Sequence, residues 1–237
     1  MPASIQTILV PSGAEYQAVL RGLKNAAAQS QAQSQAQSQV RPQLVAIPIG
    51  IAAVRQALAE RPDLAQSRIL VMGLCGSLRP DYQIGDALLY QNAVAPDGQT
   101  LPCDAVLTAQ IQASLPQTPR VQSITSARFV QSVVEKQRLG QRYQAGAVDM
   151  EGSAILAALP QASVAMLRII SDDCEHELPD LSAAVSRLPS AGASSGQLRS
   201  WPLVTAMLRQ PVGAWRLIRG SLRALKALEQ ITKQLFE

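Results

Sequence analysis

The sequence predicts an α/β fold, three αβα layers built around a central, mixed, twisted sheet. Six short apolar runs of strand length recur along the chain, most of them bounded by turn residues. Segments with the helical spacing of apolar residues separate several of these runs, the pattern of a sheet covered on both faces. Aromatic residues make up only 3% of a chain that is 47% hydrophobic, so aliphatic side chains must fill the core, as they do where strands are buried on both sides. At 237 residues the chain suits one sizeable domain, or one with a small appendage.

Each element follows from its local pattern. Residues 7–10 form the first strand run, and Pro11-Ser12-Gly13 turns the chain into a helical segment, 15–24, with Val19, Leu20 and Leu23 on one side. Residues 29–39 read QSQAQSQAQSQ, too polar to offset their own ordering entropy. A solvated linker is expected there, with a helix extension as the alternative. A second strand at 44–49 leads through Gly50 to a helix at 52–60, and a third strand at 69–72 opens into a loop at 73–78. The next run, 87–90, follows a short Gly- and Pro-bearing loop instead of a helix, so a mixed sheet is favoured over a fully parallel one. A helix at 105–113, a strand at 121–124, helices at 130–139 and 150–159, and a strand at 164–170 complete the alternation.

This organisation divides the chain into a main domain at 1–180, interrupted by the polar segment 29–39, and an extension at 181–237. The extension begins with a Ser-, Ala- and Gly-rich stretch, 182–200, then Trp201-Pro202, a short helical segment at 203–209 and a long one at 212–235. The formal charge of +4 is concentrated here: residues from Arg199 onward carry +5 and all those before them −1. Arg216, Arg219, Arg223, Lys226 and Lys233 share one helix face, beside an apolar stripe of Leu217, Ala224, Leu228, Ile231 and Leu235. Two readings stand open: a helix docked on the sheet with a solvated basic face, or one resting on an anionic membrane surface with Trp201 and Trp215 as interfacial anchors.

Composition excludes several classes of function. Cys75, Cys103 and Cys174 are far apart with no CxxC spacing, and His176 is the only histidine, so neither a disulfide framework nor a zinc centre is indicated. No metal or organic cofactor is expected. Met1-Pro2-Ala3-Ser4 lacks the basic-then-apolar pattern of a secretory signal, and no apolar run is long enough to span a bilayer. A cytoplasmic location is expected, with peripheral contact at the inner membrane surface as the alternative. The basic charge is confined to the tail and few aromatics accompany it, unlike the surface of a general nucleic-acid binder.

Three segments carry the chemistry: Gly73-Leu74-Cys75-Gly76, Val148-Asp149-Met150-Glu151-Gly152 and Arg168-Ile169-Ile170-Ser171-Asp172. Each closes an apolar run, and two of them place a carboxylate where a strand ends. From spacing alone, Asp172 reads equally as a reacting group or as a loop aspartate capping a helix. Glu151 could simply complement a helix dipole, and Asp149 is expected to face outward by alternation, in a structural role.

Together these segments resemble the purine nucleoside phosphorylase and nucleosidase superfamily, whose members break the bond between base and ribose. Such cleavage passes through an oxocarbenium-like state and needs a proton for the leaving base, a hold on the sugar hydroxyls and a nucleophile on the opposite face. The resemblance implies that Asp172 delivers the proton to purine N7, oriented by Arg168 and Ser171. A free aspartate is ionised at neutral pH, so this role needs a water-poor site or a proton shared with the base. Glu151 would accept hydrogen bonds from the ribose 2′- and 3′-hydroxyls, with Met150 pressed on the sugar. Glu15, in the turn after the first strand, would activate water. Phe129 would stack on the purine and the Val130 backbone would read its edge.

The glycine-bearing segment departs from the family pattern in an informative way. Nucleosidases carry a serine after the first glycine, and hexameric phosphorylases add an arginine two positions before it. Here Leu74 and Val71 stand instead. Gly73 and Gly76 remain, with Gly50 as part of a second glycine-rich turn near the sugar. Two lost phosphate contacts, each worth about 1.5–3 kcal/mol, favour water over phosphate as nucleophile, with phosphate retained as an optional co-substrate. The long basic tail and the non-serine loop resemble the hopanoid-associated phosphorylase-like proteins, which implies an adenine nucleoside with a bulky 5′ group, adenosylhopane. The alternatives are a 5′-methylthioadenosine/S-adenosylhomocysteine nucleosidase and an inactive nucleoside- or membrane-binding homologue. A homo-oligomer is expected.

Overall fold

A computed structural model describes residues 5–32, 41–179 and 211–237. Eight strands form one sheet: β1 (Thr7–Pro11), β2 (Gln43–Ile47), β3 (Arg68–Ser77), β4 (Ala87–Val94), β5 (Thr100–Pro102), β6 (Arg120–Thr125), β7 (Ala147–Asp149) and β8 (Ser163–Asp172). The helices are α1 (Ala14–Ala32), α2 (Ile51–Ala59), α3 (Ala105–Ser114), α4 (Val133–Tyr143), α5 (Gly152–Ala158) and α6 (Pro211–Phe236).

The central strands alternate strictly between two cores, which is why they read as unbroken apolar runs. Leu9, Ile69, Val71, Val164, Met166 and Ile170 face one side, where α2 and α5 contribute Val54, Leu58 and Ile155. Ile8, Val10, Leu70, Met72, Ala165, Leu167 and Ile169 face the other, under Val19 of α1, Ile111 of α3 and Leu228 of α6. The three-layer αβα arrangement follows from this two-sided burial.

The sheet is mixed. β3 runs parallel to β1 and β8 but antiparallel to the short β7, and β8 is antiparallel to β4. Because β4 also pairs with β6 and β6 with β7, the pairings β3–β8–β4–β6–β7 return to β3. The sheet therefore curls back on itself, gathering the ends of β1, β3, β7 and β8 in one place.

Several boundaries differ from the sequence expectation. The expected loop at 73–78 is largely strand: β3 continues to Ser77 because its glycine-containing end is paired by β8 on one side and β7 on the other. The second strand stops at Ile47, before Pro48, which has no N–H to pair. Helix α4 starts at Val133, where the Ser132 hydroxyl accepts from Glu135 N, and so leaves Val130 in the preceding irregular segment. Gln29 to Ala32, expected as linker, belong to α1; 33–40 lie outside the described residues. So do 182–200, Trp201 and the helical segment expected at 203–209.

The long C-terminal helix docks on its own domain. Ala224, Leu228 and Leu235 are buried against α1 and the sheet, so this stripe is not free to meet lipid. Trp215, Ile218 and Leu222 point outward on the first half of the helix, and the Arg219 guanidinium lies 5.1 Å from the Trp215 ring centroid. Among the described residues, no helix is long and apolar enough to cross a membrane.

Candidate active site

The ends of β1, β3, β7 and β8 enclose a cavity of about 300 Å3. Its wall contains Glu15, Leu74, Gly76, Phe129, Val130, Met150, Glu151, Ser171 and Asp172, so most of the residues singled out from sequence share one space. Ile49 adds an apolar surface from the turn before α2, and Leu217 and Ser221 extend the wall from α6.

Glu15 reaches the cavity from the first turn of α1. Its Oε2 accepts a hydrogen bond from Leu74 N at 2.7 Å, tying β1's turn to the end of β3. Burial raises the Glu15 carboxyl above the ordinary glutamate range, against opposing pulls from Arg168 and the Leu74 N–H. A buried carboxylate with a raised proton affinity is suited to take a proton from water.

Glu151 stands at the N-terminus of α5 but does not cap that helix with its side chain. Instead Oε1 accepts from Gly50 N at 3.0 Å, which explains the placing of the second glycine turn. Burial pushes the Glu151 carboxyl up to about 7, with Asp149 adding to the rise and Arg168 and the Gly50 N–H opposing it.

Arg168, on β8, is fully buried beneath these carboxylates, outside the cavity wall. Its Nη2 lies 3.6 Å from both Asp149 Oδ2 and Glu151 Oε2. None of its three guanidinium nitrogens makes a hydrogen bond to another described residue. Burial weakens the guanidinium's hold on its proton, but the surrounding carboxylates outweigh that and keep it charged. Gly73 makes room for the cluster: a Cβ there would stand 2.5 Å from Glu15 Oε2.

Asp149 corrects an expectation. Far from facing outward, it is buried, lines the cavity, accepts from Thr125 Oγ1 at 3.0 Å and from Gly152 N at 3.1 Å, and flanks Arg168. Alternation fails for it because a cation below the sheet end compensates a buried carboxylate.

Asp172 ends β8 and caps no helix. The neighbouring Asp173 does the turn-forming work, accepting from Glu175 N and His176 N. Ser171 Oγ lies 2.7 Å from Asp172 Oδ1, and Asp172 Oδ2 sits against Gly76, where a Cβ would approach it to 2.8 Å. The partner that sequence reasoning missed is Lys136 of α4, fully buried, whose Nζ donates to Asp172 Oδ2. No local signal marked it: α4 is polar, and the burial that Lys136 shares with Gly140 on one helix face comes only from tertiary packing.

Val71, at the position where phosphorylases carry an arginine, is a core residue with no exposure, and Leu74 presents an apolar side chain to the cavity. Cys75 also lines the cavity, but burial raises its thiol, so it is no ready thiolate nucleophile.

The chain matches the family model described as the phosphorylase superfamily over residues 7–197. No curated protein matches it in sequence. Among solved structures, futalosine hydrolase of Helicobacter pylori strain 26695 is similar with a TM-score of 0.67 and 14% identity, covering 98% of this chain and 97% of that one. The 5′-methylthioadenosine/S-adenosylhomocysteine nucleosidase of Helicobacter pylori, complexed with a substituted pyrrolidin-3-ol, gives 0.65 at 14% identity, with 98% of each chain covered. The corresponding nucleosidase of Streptococcus pneumoniae, bound to 8-aminoadenine, gives 0.55 at 19% identity, covering 94% of this chain and 99% of that one. At these identities the likeness establishes a shared fold.

Proposed function

The chain belongs to the phosphorylase superfamily, and from that premise we propose that it is a purine nucleosidase that cleaves the N-glycosidic bond of an adenine nucleoside. The observation that carries this reading is the convergence of Asp172, Glu151 and Glu15 on one cavity that also holds Phe129 and Met150. Asp172 gives a proton to N7 of the leaving purine, which Phe129 stacks and the Val130 backbone borders. Glu151, anchored by Gly50 N, accepts from the ribose hydroxyls. Glu15 takes the proton of the attacking water. The C1′–N9 bond breaks with its electron pair passing to the base, and the water oxygen bonds to C1′.

Water is favoured over phosphate on electrostatic grounds. The cavity wall carries four carboxylates, from Glu15, Asp149, Glu151 and Asp172, against the single cation of Arg128, which is held by Glu135. Arg168 is already shared between two of those carboxylates. The ionised members of this set repel a phosphate anion, and neither Leu74 nor Val71 offers it a donor side chain. No cofactor enters this scheme.

For the 5′ group, the wall supplies Ile49 and Leu217, and α6 exposes Trp215, Ile218 and Leu222 on the helix that bears Leu217. Such surface suits a large apolar substituent, and adenosylhopane is the substrate we favour. A lipid-linked nucleoside would bring the enzyme to the membrane surface, with the outward apolar residues and Arg216, Arg219 and Arg223 making the contact. A small thioether in the same place, as in 5′-methylthioadenosine, is the competing reading, consistent with the fold shared with the Helicobacter pylori nucleosidase.

Incubation with adenosylhopane, 5′-methylthioadenosine and S-adenosylhomocysteine, with and without phosphate, tests all of this by adenine release. Release from adenosylhopane without phosphate is expected. Release from only the two soluble thioethers would overturn the lipid-linked substrate, and strict phosphate dependence would overturn hydrolysis.

A further inference from the structure

Asp172 does not stand alone in the cavity wall. Lys136 Nζ donates to its Oδ2 and, at 2.6 Å, to the Asp173 carbonyl oxygen, which fixes the ammonium from two sides. Ser171 Oγ approaches the other carboxylate oxygen. Lys136 has no exposed surface and is absent from the cavity wall, so it reaches a bound substrate only through Asp172. The other charged group nearby is spoken for: the Asp173 carboxylate faces His176 Nδ1 at 3.0 Å. From β3, Gly76 stands against Asp172, and the Cys75 carbonyl accepts from Ser171. A lysine buried this completely loses its hydration, and a salt link to one carboxylate is rarely worth that loss in stability alone.

We propose that Lys136 is a positioning residue for the glycosidic cleavage, aiming Asp172 at the base and holding the carboxylate charge that appears when Asp172 gives up its proton. The proposal rests on the nucleosidase reading above. In the reactive state Asp172 carries a proton taken from solvent on Oδ1, the oxygen that Lys136 does not hold; as C1′–N9 breaks, that proton moves to N7, and Lys136 goes on donating to Oδ2 of the carboxylate that results. Glu15 meanwhile keeps the proton released by water, so water is added across the bond, and both carboxyl groups reset by exchange with solvent. An ammonium already in place needs no reorganisation at that moment, which is the condition for electrostatic stabilisation to speed a reaction.

The test compares Lys136→Met with wild type on two substrates: an adenine nucleoside that the wild type cleaves, and 4-nitrophenyl β-D-riboside, whose phenolate leaves without a proton. Loss of an acid–base contribution predicts a kcat lower by about a hundredfold or more on the nucleoside, with KM less affected and the phenolate substrate spared. Equal losses on both substrates would mean a merely structural role and would overturn the proposal, as would wild-type kcat on the nucleoside. Because Lys136→Met leaves a buried carboxylate without its partner, the charge-balanced pair Lys136→Met/Asp172→Asn is compared with Asp172→Asn as well. No further loss is expected in that background, and a further tenfold loss would overturn the proposal. A wild-type enzyme that releases no base from any nucleoside overturns the nucleosidase reading and this proposal with it; base release with an unaffected Lys136→Met overturns this proposal alone.

Discussion

Gly73 lies directly over Arg168: a Cβ on this glycine would stand 2.5 Å from Glu15 Oε2 and closer still to Arg168 Nη1. A single missing side chain thus lets a cation from β8 and a carboxylate from α1 meet across β3. Neither neighbour can retreat, since Arg168 is fully buried and Glu15 is tied to Leu74 N.

Gly73→Ala is therefore expected to separate the two groups by several tenths of an ångström. Overpacking of this kind costs about 1–3 kcal/mol of stability. Displacement of a water-activating group at this scale is expected to lower kcat/KM by about a hundredfold. Thermal unfolding and adenine-release kinetics on the same preparation check both. An alanine variant of full activity would show that Glu15 and Arg168 need not be this close.

Glu151 gives a prediction about pH. Its folded-state carboxyl is raised from 4.5 to about 7, so the folded protein holds this proton more tightly than the unfolded chain. The sign follows from linkage: the group's contribution to stability is fully present below about 4.5 and is lost as pH rises through about 7. Glu15, also raised, acts in the same direction. Glu151→Gln, uncharged throughout, should match wild type near pH 4.5 and become more stable than it by a growing margin toward pH 8. It should also cleave nucleosides poorly, having lost the carboxylate that accepts from two hydroxyls. Denaturation midpoints at pH 5, 6, 7 and 8 decide the matter; parallel curves for the two proteins would remove Glu151 as the titrating group.

The contrast between these residues shows what the sequence could carry. β1, β3 and β8 were legible because each is buried on both faces and must be apolar along its whole length. Asp172 stood out because it closes such a run, and Glu151 because it stands where the chain turns into a helix of small residues. β7 is only three residues long and pairs at its ends with strands distant in sequence, so no local period marks it. Asp149 was misjudged for the same reason: its burial depends on Arg168, nineteen positions away in sequence but adjacent once β3 lies between β7 and β8. Lys136 escaped because a lysine in a polar helix reads as solvated, and only the tertiary meeting of α4 with the end of β8 makes it a buried partner.

Helix α6 extends the cavity wall through Leu217 and Ser221. α6 approaches α1 so tightly at Gly22 that a Cβ there would stand 2.6 Å from Glu229 O and 2.6 Å from Thr232 Cβ. The first of these is backbone and cannot swing aside, so Gly22→Ala must push the helices apart. About 1–3 kcal/mol of destabilisation is expected, a fall in Tm of several degrees for a domain of this size. The nearby Arg21–Glu229 pair, 2.7 Å long but largely exposed on the arginine side, should contribute less than about 1 kcal/mol, so Arg21→Ala serves as the mild control. Since α6 carries Leu217 and Ser221 into the cavity wall, its displacement should weaken nucleoside binding more than it slows the chemical step, raising KM with kcat changed less. Urea denaturation beside steady-state kinetics separates the two effects. If Gly22→Ala leaves KM untouched while lowering stability, α6 braces the fold without shaping the substrate site.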